Sequence, residues 1–368
     1  MPRRLRDGSE DGLEPLVSLD PRQAGSVSEL LEAMSRTAFG GRRLGEAFGV
    51  LREMAADPSC EIIVTISGAM SVAKMGGVLC TMMESGHAHF VVTTGAFVTH
   101  SLSEAIGASH YKMRAGLSDR ELYERGYNRI YDSLELESSL EGVNRLVDAV
   151  LTARGFERPM GSYELHHAIG EHLAANGAER SILGCAYRTG VPVYVPAFTD
   201  SEVGLAVATH GLARSRAVAA DPEEGVLFVD PPLFNPYLDL YDFARRLAAA
   251  ETLGIFTVGG GVPRNWAQQI GPFFEVINSR LGTSFEVPRI RYGVRICPEP
   301  EHWGGLSGCS YSEGVSWGKF LRPEEGGRFA EVLCDATIAW PLLVRGLLET
   351  QGARERRTRS SSGERTSD

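Results

Sequence analysis

The sequence predicts an α/β protein built on a doubly wound, mostly parallel sheet with helices on both faces. Short apolar segments rich in β-branched residues predict buried strands, and helical patterns separate these segments along the chain. Strands that alternate with helices imply right-handed crossovers and parallel pairing. Residues 21–352 contain no linker rich in Pro or Ser, so a single domain is predicted there.

Six strands are predicted, and most of them end at Gly, Pro, Thr or Asp. They cover residues 61–67, 89–95, 191–200, 225–232, 254–261 and 329–337. Helices are predicted within 68–86, from residue 101, over 139–155, over 264–282 and over 339–352. In a doubly wound sheet, ligands bind beyond the carboxyl ends of the strands. The polar and glycine residues at those ends are therefore candidate binding residues: Ser67, Gly68, Thr93, Thr94, Gly95, Thr199, Asp200, Gly259, Gly260, Gly261 and Asp335.

The composition restricts the classes of function. The 368 residues carry a formal net charge of −10, which argues against general nucleic-acid binding. The six cysteines form no C-x-x-C pair, so we expect reduced thiols in a cytoplasmic protein and no structural zinc. Residues 1–20 are predicted to be flexible, without a secretory signal, and residues 353–368 to be a disordered basic tail. No run of about 18 apolar residues is present, so no membrane span is expected.

Two segments of small residues follow predicted strands and indicate a nucleotide site. Residues 67–71 have the sequence SGAMS, and residues 259–261 are three glycines. Small residues allow backbone N–H groups to approach a pyrophosphate closely. Neither segment has the G-x-G-x-x-G fingerprint, and a tight packing turn is the alternative in each case. Asp200 and Asp335 end strands, where a carboxylate accepts ribose hydroxyls, holds an ammonium group or caps the next helix.

One lysine is the candidate for covalent chemistry. Only three of the 37 Lys and Arg residues are lysines: Lys74, Lys112 and Lys319. Arginine stays protonated, whereas a lysine whose pKa is lowered by desolvation or nearby cations can form an imine. Lys319 lies in the segment EGVSWGKF, where Glu313 is a candidate base or ammonium anchor and Trp317 a surface for stacking on a cation. The alternatives are a surface charge at Lys319, a core position for Trp317, and Lys74 as the imine-forming residue.

The histidines predict no metal site. His166, His167 and His172 lie near one another, but they lack the i, i+4 pair of a helical zinc site. The sequence also has no G-x-S-x-G elbow and no P-loop.

Segments along most of the chain resemble the deoxyhypusine synthase family, which includes homospermidine synthases. They keep the family order over residues 25–350: TAFGGRRLGEA, VVTTGA, GYNRIYD, VPVYVPAFTDSEVG, VGGGV, VSWGK and CDATIAWPLLV. The resemblance implies a Rossmann-like fold, NAD as cofactor, and a homotetramer with active sites at subunit interfaces. It also implies that spermidine is oxidised and that its aminobutyl group passes through a lysine to an acceptor amine. The acceptor in the family is a lysine of a translation factor, or putrescine.

The same resemblance assigns roles to particular residues. It makes Lys319 the imine-forming residue, and it makes Glu313 and Trp317 polyamine contacts. It places the cofactor against residues that follow the strands: Ser67, Gly68, Ala69, Met70, Ser71, Thr94, Gly95, Asp200, Gly260, Gly261, Asp335 and Ala336.

Several positions depart from the family pattern. A pair of family glutamates matches Thr99 and His100, and His100 is a candidate general base at neutral pH. Two family aspartates that bind the amines match Leu205 and Leu306, and a family histidine matches Asn265. Acidic residues nearby are candidates for holding the cation in another geometry: Glu202, Glu299 and Glu301. The predicted substrate-binding residues are Trp317, Glu313, Asp200, Glu202 and Asn265.

The predicted function is an NAD-dependent aminobutyl transferase that acts on a polyamine such as spermidine through a Lys319 imine. The acceptor is a small amine or a protein lysine, and the altered pocket favours the small amine. An NAD-binding oligomer without transferase activity, serving as sensor or scaffold, is the alternative of another class. An amine dehydrogenase that releases NADH is a further alternative.

Overall fold

A six-stranded parallel sheet forms the centre of the molecule. The computed structural model describes residues 5–155, 157–218 and 233–363, with side chains for all of them except 215–218 and 352–363. The strands in these ranges are β1 (Cys60–Ile66), β2 (Phe90–Thr93), β3 (Tyr111–Lys112), β4 (Tyr127–Ile130), β5 (Ser133–Leu136), β6 (Val193–Tyr194), β7 (Thr252–Val258), β8 (Ile290–Ile296) and β9 (Arg328–Val332).

Helices flank the sheet and connect its strands. They are α1 (Val27–Ser35), α2 (Phe39–Ala56), α3 (Gly76–Glu84), α4 (Gly95–Ala105), α5 (Asp119–Glu124), α6 (Glu137–Arg154), α7 (Ser162–Ala175), α8 (Ile182–Thr189), α9 (Glu202–Val218), α10 (Pro236–Leu247), α11 (Gly261–Gln268), α12 (Ile270–Leu281), α13 (Tyr311–Ser316) and α14 (Ala336–Gly363). Short 3-10 turns occur at Pro21–Gln23, Glu301–Trp303, Leu306–Gly308 and Pro323–Glu325. No helix of the described residues is long and apolar enough to span a membrane.

The strand order confirms the predicted doubly wound sheet. The order is β6-β2-β1-β7-β8-β9, and every neighbouring pair is parallel. Counted along the chain, these six strands run 3-2-1-4-5-6, which is the order of dinucleotide-binding folds. The order reverses between β1 and β7, so a crevice opens at the carboxyl ends of these two strands.

Helices cover both faces of the sheet because alternate residues of its strands enter two separate cores. Ile62 and Val64 of β1 pack with α2, α3 and α14, whereas Ile63 packs with α10, α11 and α12. All three side chains are at most 1% exposed. A central strand buried on both faces needs a continuous apolar sequence, and β-branched residues suit that position.

Two strands differ from the prediction for identifiable reasons. The segment predicted over 191–200 pairs only at Val193 and Tyr194, since Pro192 and Pro196 on either side have no N–H to donate. Strand β8, which the sequence analysis missed, contains Arg295 as a fully buried residue. The strand predicted over 225–232 lies outside the described residues.

Helix boundaries also differ from the prediction. The helix expected from residue 101 begins at Gly95, and the single helix expected over 264–282 is divided at Gln269 into α11 and α12. Helix α14 continues to Gly363 and so enters the segment predicted to be a disordered tail, whose last residues, 364–368, lie outside the description. Residues 5–20 contain neither helix nor strand.

A small antiparallel sheet lies between α4 and α6 in the chain. Its order is β3-β5-β4, and the sequence analysis did not predict it. Its strands are only two to four residues long. This sheet carries Glu135, a carboxylate that is 1% exposed.

Candidate functional site

At the crevice beyond the carboxyl ends of β1 and β7, a serine side chain joins the two strand ends. Ser67 directly follows β1, and its Oγ accepts a hydrogen bond of 2.8 Å from the Gly260 N–H. Gly259 has φ +82°, and a Cβ there would lie 2.4 Å from the Ser67 Oγ. A side chain at Gly259 is therefore excluded both by the backbone conformation and by Ser67.

The glycine turn also brings a later segment over the crevice. A Cβ at Gly260 would lie 2.6 Å from the Ser307 Cα, so Ser307 packs directly on the turn. Gly261 then begins α11, whose first turn has no acidic residue and whose N-cap makes no side-chain hydrogen bond among the described residues. The N–H groups of this turn therefore lack a side-chain acceptor and suit an anion such as a phosphate.

Lys319 reaches the same helix one turn further along. Its Nζ donates a hydrogen bond of 3.0 Å to the Asn265 Oδ1, and the residue is 9% exposed. The Lys319 backbone is fixed at both polar groups, because its N–H donates to the Gly314 carbonyl and its carbonyl accepts from the Ile290 N–H. The ammonium group thus lies in a defined position and faces a neutral amide.

The surroundings of Lys319 favour the unprotonated amine. Burial lowers the pKa of Lys319, and the positive charge of Arg264 lowers it further, against opposing contributions from Cys309 and Glu313. Arg264 is 2% exposed, donates 2.7 Å to the Cys309 carbonyl and lies over the Tyr311 ring at 5.2 Å. Among the described residues, the Lys319 Nζ bonds to Asn265 and forms no ion pair.

Two predicted polyamine contacts lie beside Lys319. The Trp317 side chain is 64% exposed, and the Lys319 Nζ lies 5.8 Å from the centroid of its ring. Glu313 is exposed in the first turn of α13 and accepts a 3.6 Å contact from the Cys309 thiol. An exposed aromatic face and a carboxylate therefore border a buried amine, which suits a cationic substrate.

A second polar cluster, made of His100, His110 and Glu135, lies in segments that follow β2. The His100 Nδ1 is 2.6 Å from the Glu135 Oε2, and the His110 Nε2 is 3.4 Å from the Glu135 Oε1. Burial alone would raise the pKa of Glu135, but the hydrogen bond with His100 and the neighbouring histidines hold it below its usual value. Lys74 contacts this cluster through Glu104 and through the His110 Nδ1 at 2.9 Å.

Comparison with known proteins gives the same assignment for most of the chain. The family profile "Deoxyhypusine synthase" matches residues 29–347. "Probable deoxyhypusine synthase 2" of Methanosarcina mazei is 33% identical over 342 residues, which cover 92% of each chain. The protein of the same name from Archaeoglobus fulgidus is 32% identical over 315 residues, 86% of this chain and 96% of that one. The chain belongs to the deoxyhypusine synthase family.

Other relatives agree with this result. A "deoxyhypusine synthase-like protein" from Chlorobaculum parvum is 30% identical, with 87% of this chain and 85% of that one covered. A crystal structure of a "putative deoxyhypusine synthase" from Entamoeba histolytica superposes with a TM-score of 0.53 at 14% identity and covers 90% of this chain and 96% of that one. This superposition supports the fold, and the sequence relationship makes the chain an enzyme of a family of NAD-dependent transferases.

Most residues predicted for the cofactor lie at the carboxyl edge of the sheet. Thr94 caps α4 by accepting from the Phe97 N–H, and a Cβ at Gly95 would lie 2.3 Å from Ser201. Asp335 accepts hydrogen bonds from the N–H and the hydroxyl of Thr337, so it caps α14, which is one of the three roles considered for it. Seven of the remaining residues are in or beside the crevice turns: Ser67, Gly68, Ala69, Met70, Ser71, Gly260 and Gly261. Ala336 begins α14 after the edge strand β9.

The other predicted residues divide between the two clusters and the surface. Asp200 is exposed after β6 and makes no side-chain hydrogen bond with a described residue, and Glu202 begins α9. His100 contacts Glu135 rather than the residues around Lys319. Sequence reasoning missed Arg264, whose signal was its place in the helix after the three glycines.

Proposed function

We propose that this chain is an NAD-dependent aminobutyl transferase that uses spermidine as donor and Lys319 as the imine-forming residue. The observation that carries the proposal is the buried Lys319 amine, which faces the neutral Asn265 amide and lies near the buried Arg264 cation. An unprotonated amine is the nucleophile that imine chemistry requires. A lysine kept for its charge alone would instead be expected beside a carboxylate.

The residues around the glycine turn fit a dinucleotide. The positive φ angles of Gly259 and Gly261 and the uncapped start of α11 leave backbone N–H groups for a pyrophosphate. The first N–H groups of α11, beginning with Gly261, would hold that part of NAD, while the hydrogen bond from the Gly260 N–H to Ser67 would fix the turn. Asp200, with its exposed carboxylate, would accept ribose hydroxyls. Bound NAD would supply the acceptor for a hydride from the donor and return it to the product.

In the proposed reaction, the carbon–nitrogen bond of spermidine is first oxidised to an imine. The Lys319 Nζ adds to the imine carbon, and its proton passes to the aminopropyl nitrogen. The bond from the carbon to that nitrogen then breaks, and 1,3-diaminopropane leaves. The aminobutyl group is then held on Nζ as an imine until an acceptor amine replaces Lys319. Asn265 orients the amine, burial and then Arg264 lower its pKa, and Trp317 and Glu313 hold the remaining ammonium groups.

We favour a small amine over a protein lysine as acceptor. Leu205 and Leu306, which replace family aspartates, are 52% and 44% exposed, so the amine-binding surface differs from that of the protein-modifying enzymes. Supplying spermidine with putrescine, and separately with a lysine-bearing translation factor, distinguishes the two acceptors. Homospermidine formation is the expected result, and transfer only to the protein would overturn this part of the proposal.

We also propose that the enzyme is a homotetramer whose subunits cover the candidate site. Large apolar side chains around the site are exposed in the single chain, including Trp303 at 70%, Trp317 at 64% and Val262 at 48%. Exposed apolar groups concentrated in one region are typical of association surfaces. Light scattering at micromolar concentration should give four chains per particle, and a monomer that NAD leaves unchanged would contradict this.

Trapping the covalent species tests the central claim. The enzyme is incubated with NAD and spermidine, reduced with borohydride and digested. The mass of the peptide containing GVSWGK is then measured by mass spectrometry. An added aminobutyl mass on Lys319, with release of 1,3-diaminopropane, supports the transferase. Accumulation of free NADH without that mass indicates an amine dehydrogenase, and neither product indicates an NAD-binding protein without transferase activity.

A further inference from the structure

The cluster of His100, His110 and Glu135 contains three metal-ligating side chains from separate segments. His100 lies on α4, His110 directly precedes β3, and Glu135 lies on β5. One potential ligand atom from each residue lies within 4.8 Å of the other two. The fold therefore gathers two imidazoles and one carboxylate, which is a ligand set that Zn²⁺ uses with a fourth position left to solvent.

Two buried polar atoms in this cluster make no hydrogen bond of good geometry with a described residue, although the buried Ser103 hydroxyl lies near Glu135. They are the Glu135 Oε1 and the His110 Nε2, which face each other at 3.4 Å. Their side chains are 1% and 3% exposed, so solvent does not satisfy them. Ligand atoms held about 2.0–2.2 Å from a tetrahedral zinc ion are about 3.3–3.5 Å apart. The unsatisfied pair thus has the spacing that a shared ion requires.

Outer residues are placed to orient His110 as a ligand. Its Nδ1 lies 2.9 Å from the Lys74 Nζ and 3.2 Å from the Glu104 Oε1. When Lys74 bonds to Glu104 alone and Nδ1 donates to that carboxylate, the Nε2 lone pair is directed at Glu135. A carboxylate that accepts from the second nitrogen of a ligating histidine is a recurrent feature of zinc sites. Lys74 pairs with Glu104 on the side of the ring away from Glu135, where it balances the outer carboxylate.

We propose that His100 Nδ1, His110 Nε2 and a Glu135 carboxylate oxygen bind one divalent transition-metal ion, with Zn²⁺ preferred. The His100 side chain is 18% exposed, so solvent can reach the ion there and fill the open position. Binding displaces the proton shared between the His100 Nδ1 and Glu135, because a ligating nitrogen must present its lone pair. The ion joins α4 to the small antiparallel sheet, and its first consequence is to stabilise that sheet.

The test measures metal binding rather than catalysis. The full-length chain is stripped with a chelator and dialysed, then titrated with Zn²⁺ by calorimetry and followed by thermal melting. We expect one ion per chain in the micromolar range or tighter, and a melting temperature that rises with added Zn²⁺. Glu135→Gln and His110→Ala should each weaken binding by at least about tenfold, whereas the exposed His172→Ala should leave it unchanged.

Several outcomes would overturn the proposal. If the wild-type chain binds no Zn²⁺ at 100 μM, the three residues form only a hydrogen-bonded network, in which Lys74 donates to the His110 Nδ1. If Glu135→Gln, checked by circular dichroism for folding, binds as tightly as wild type, the ion is held by other histidines. Lys319→Arg should bind Zn²⁺ normally, so loss of the metal site and loss of the proposed transferase activity are separate results.

Discussion

The Lys319 site and the Glu135 cluster both bury an ionisable group, but they treat its charge in opposite ways. Lys319 faces a neutral amide and a buried arginine, which disfavour its ammonium form. Burial disfavours the carboxylate form of Glu135, but two histidines and the Ser103 hydroxyl outweigh it and favour that form. Both pKa values are lowered, yet the first shift prepares a base to lose its proton and the second keeps an acid ionised. The first arrangement suits covalent chemistry, and the second suits cation binding.

The most severe test of this difference is the replacement of Lys319 by arginine. Lys319→Arg keeps the positive charge but cannot supply an unprotonated amine, so aminobutyl transfer should fall by at least about a thousandfold. The measurement is release of 1,3-diaminopropane from spermidine, with NAD binding and the melting curve as checks on the fold. Lys112→Arg, at an exposed position on β3, is the matched control and should remain active.

If Lys319→Arg retained its activity, Lys319 would not be the imine-forming residue, and the Lys319 site would no longer be distinguished from the Glu135 cluster by covalent chemistry. An aminobutyl mass on Lys74 would do the same, but the structure argues against it. Lys74 pairs with Glu104, and its side chain is 52% exposed. An exposed lysine held in an ion pair lacks the enclosed position that Lys319 has beside Asn265.

His166 shows what burial does without a charged partner and so serves as a reference for both sites. It is fully enclosed, its Nδ1 donates 2.8 Å to the Val193 carbonyl, and burial lowers its pKa to about 4 from 6.5. Between these pH values the unfolded chain binds the extra proton. The shifted pKa of His166 should therefore lower the free energy of unfolding by about 3 kcal/mol as the pH falls from 6.5 to 4.

His166→Asn tests this acid sensitivity, because asparagine can keep the donor to the Val193 carbonyl. The variant should be less stable near pH 7, since the smaller side chain leaves a cavity, but it should lose less stability on acidification. Urea unfolding at several pH values gives both quantities. Equal pH slopes in the two proteins would mean that burial does not set the protonation of His166.

The sequence predicted the sheet better than it predicted the site. Mostly apolar segments identified β1 and β7, because a strand buried on both faces has few polar residues to obscure the pattern. Strand β8 was missed because IRYGVRI contains two arginines, and only the fold shows that Arg295 is buried by bonding the Ser307 carbonyl and Glu331. The hydrophobic pattern of a short segment does not show which distant groups will bond to a buried arginine.

The same limit explains what was missed in the two clusters. Lys319, Trp317 and Glu313 lie within one short segment and were predicted together. His100, His110 and Glu135 are distant in sequence, and neither the i, i+4 rule for zinc ligands nor the family resemblance selected Glu135. Antiparallel pairing of β3 and β5 brings the segment before Tyr111 beside Leu134, and this pairing was not predicted.

Arg264 offers a way to change the charge balance at Lys319 without removing the amine. Arg264→Gln removes the nearby positive charge, so the pKa of Lys319 should rise and less amine should be unprotonated at neutral pH. Transfer activity should fall several-fold at pH 7 and recover toward wild type as the pH increases. The surface variant Arg322→Gln, which breaks only a pair with Glu325, is the control.

The pH–rate profile decides between a charge effect and a packing effect. A profile displaced to higher pH, with the same plateau, fits a Lys319 whose proton is held more tightly. A uniform loss at all pH values, with an unchanged midpoint, would show that Arg264 acts by supporting the Cys309 carbonyl and Tyr311 instead.

The smallest expected effect concerns Trp317, the exposed neighbour of Lys319. Trp317→Ala removes the ring that lies 5.8 Å from the Lys319 Nζ and that we propose to stack on the polyamine. At an exposed position such a contact contributes about 0.5–1 kcal/mol, so the KM for spermidine should rise about two- to fivefold. Trp317→Phe, which keeps an aromatic face, should show a smaller rise. If KM is unchanged and kcat falls instead, the ring acts on Lys319 rather than on the substrate. Trp317 would then belong to the surroundings of the buried amine and not to the polyamine-binding surface.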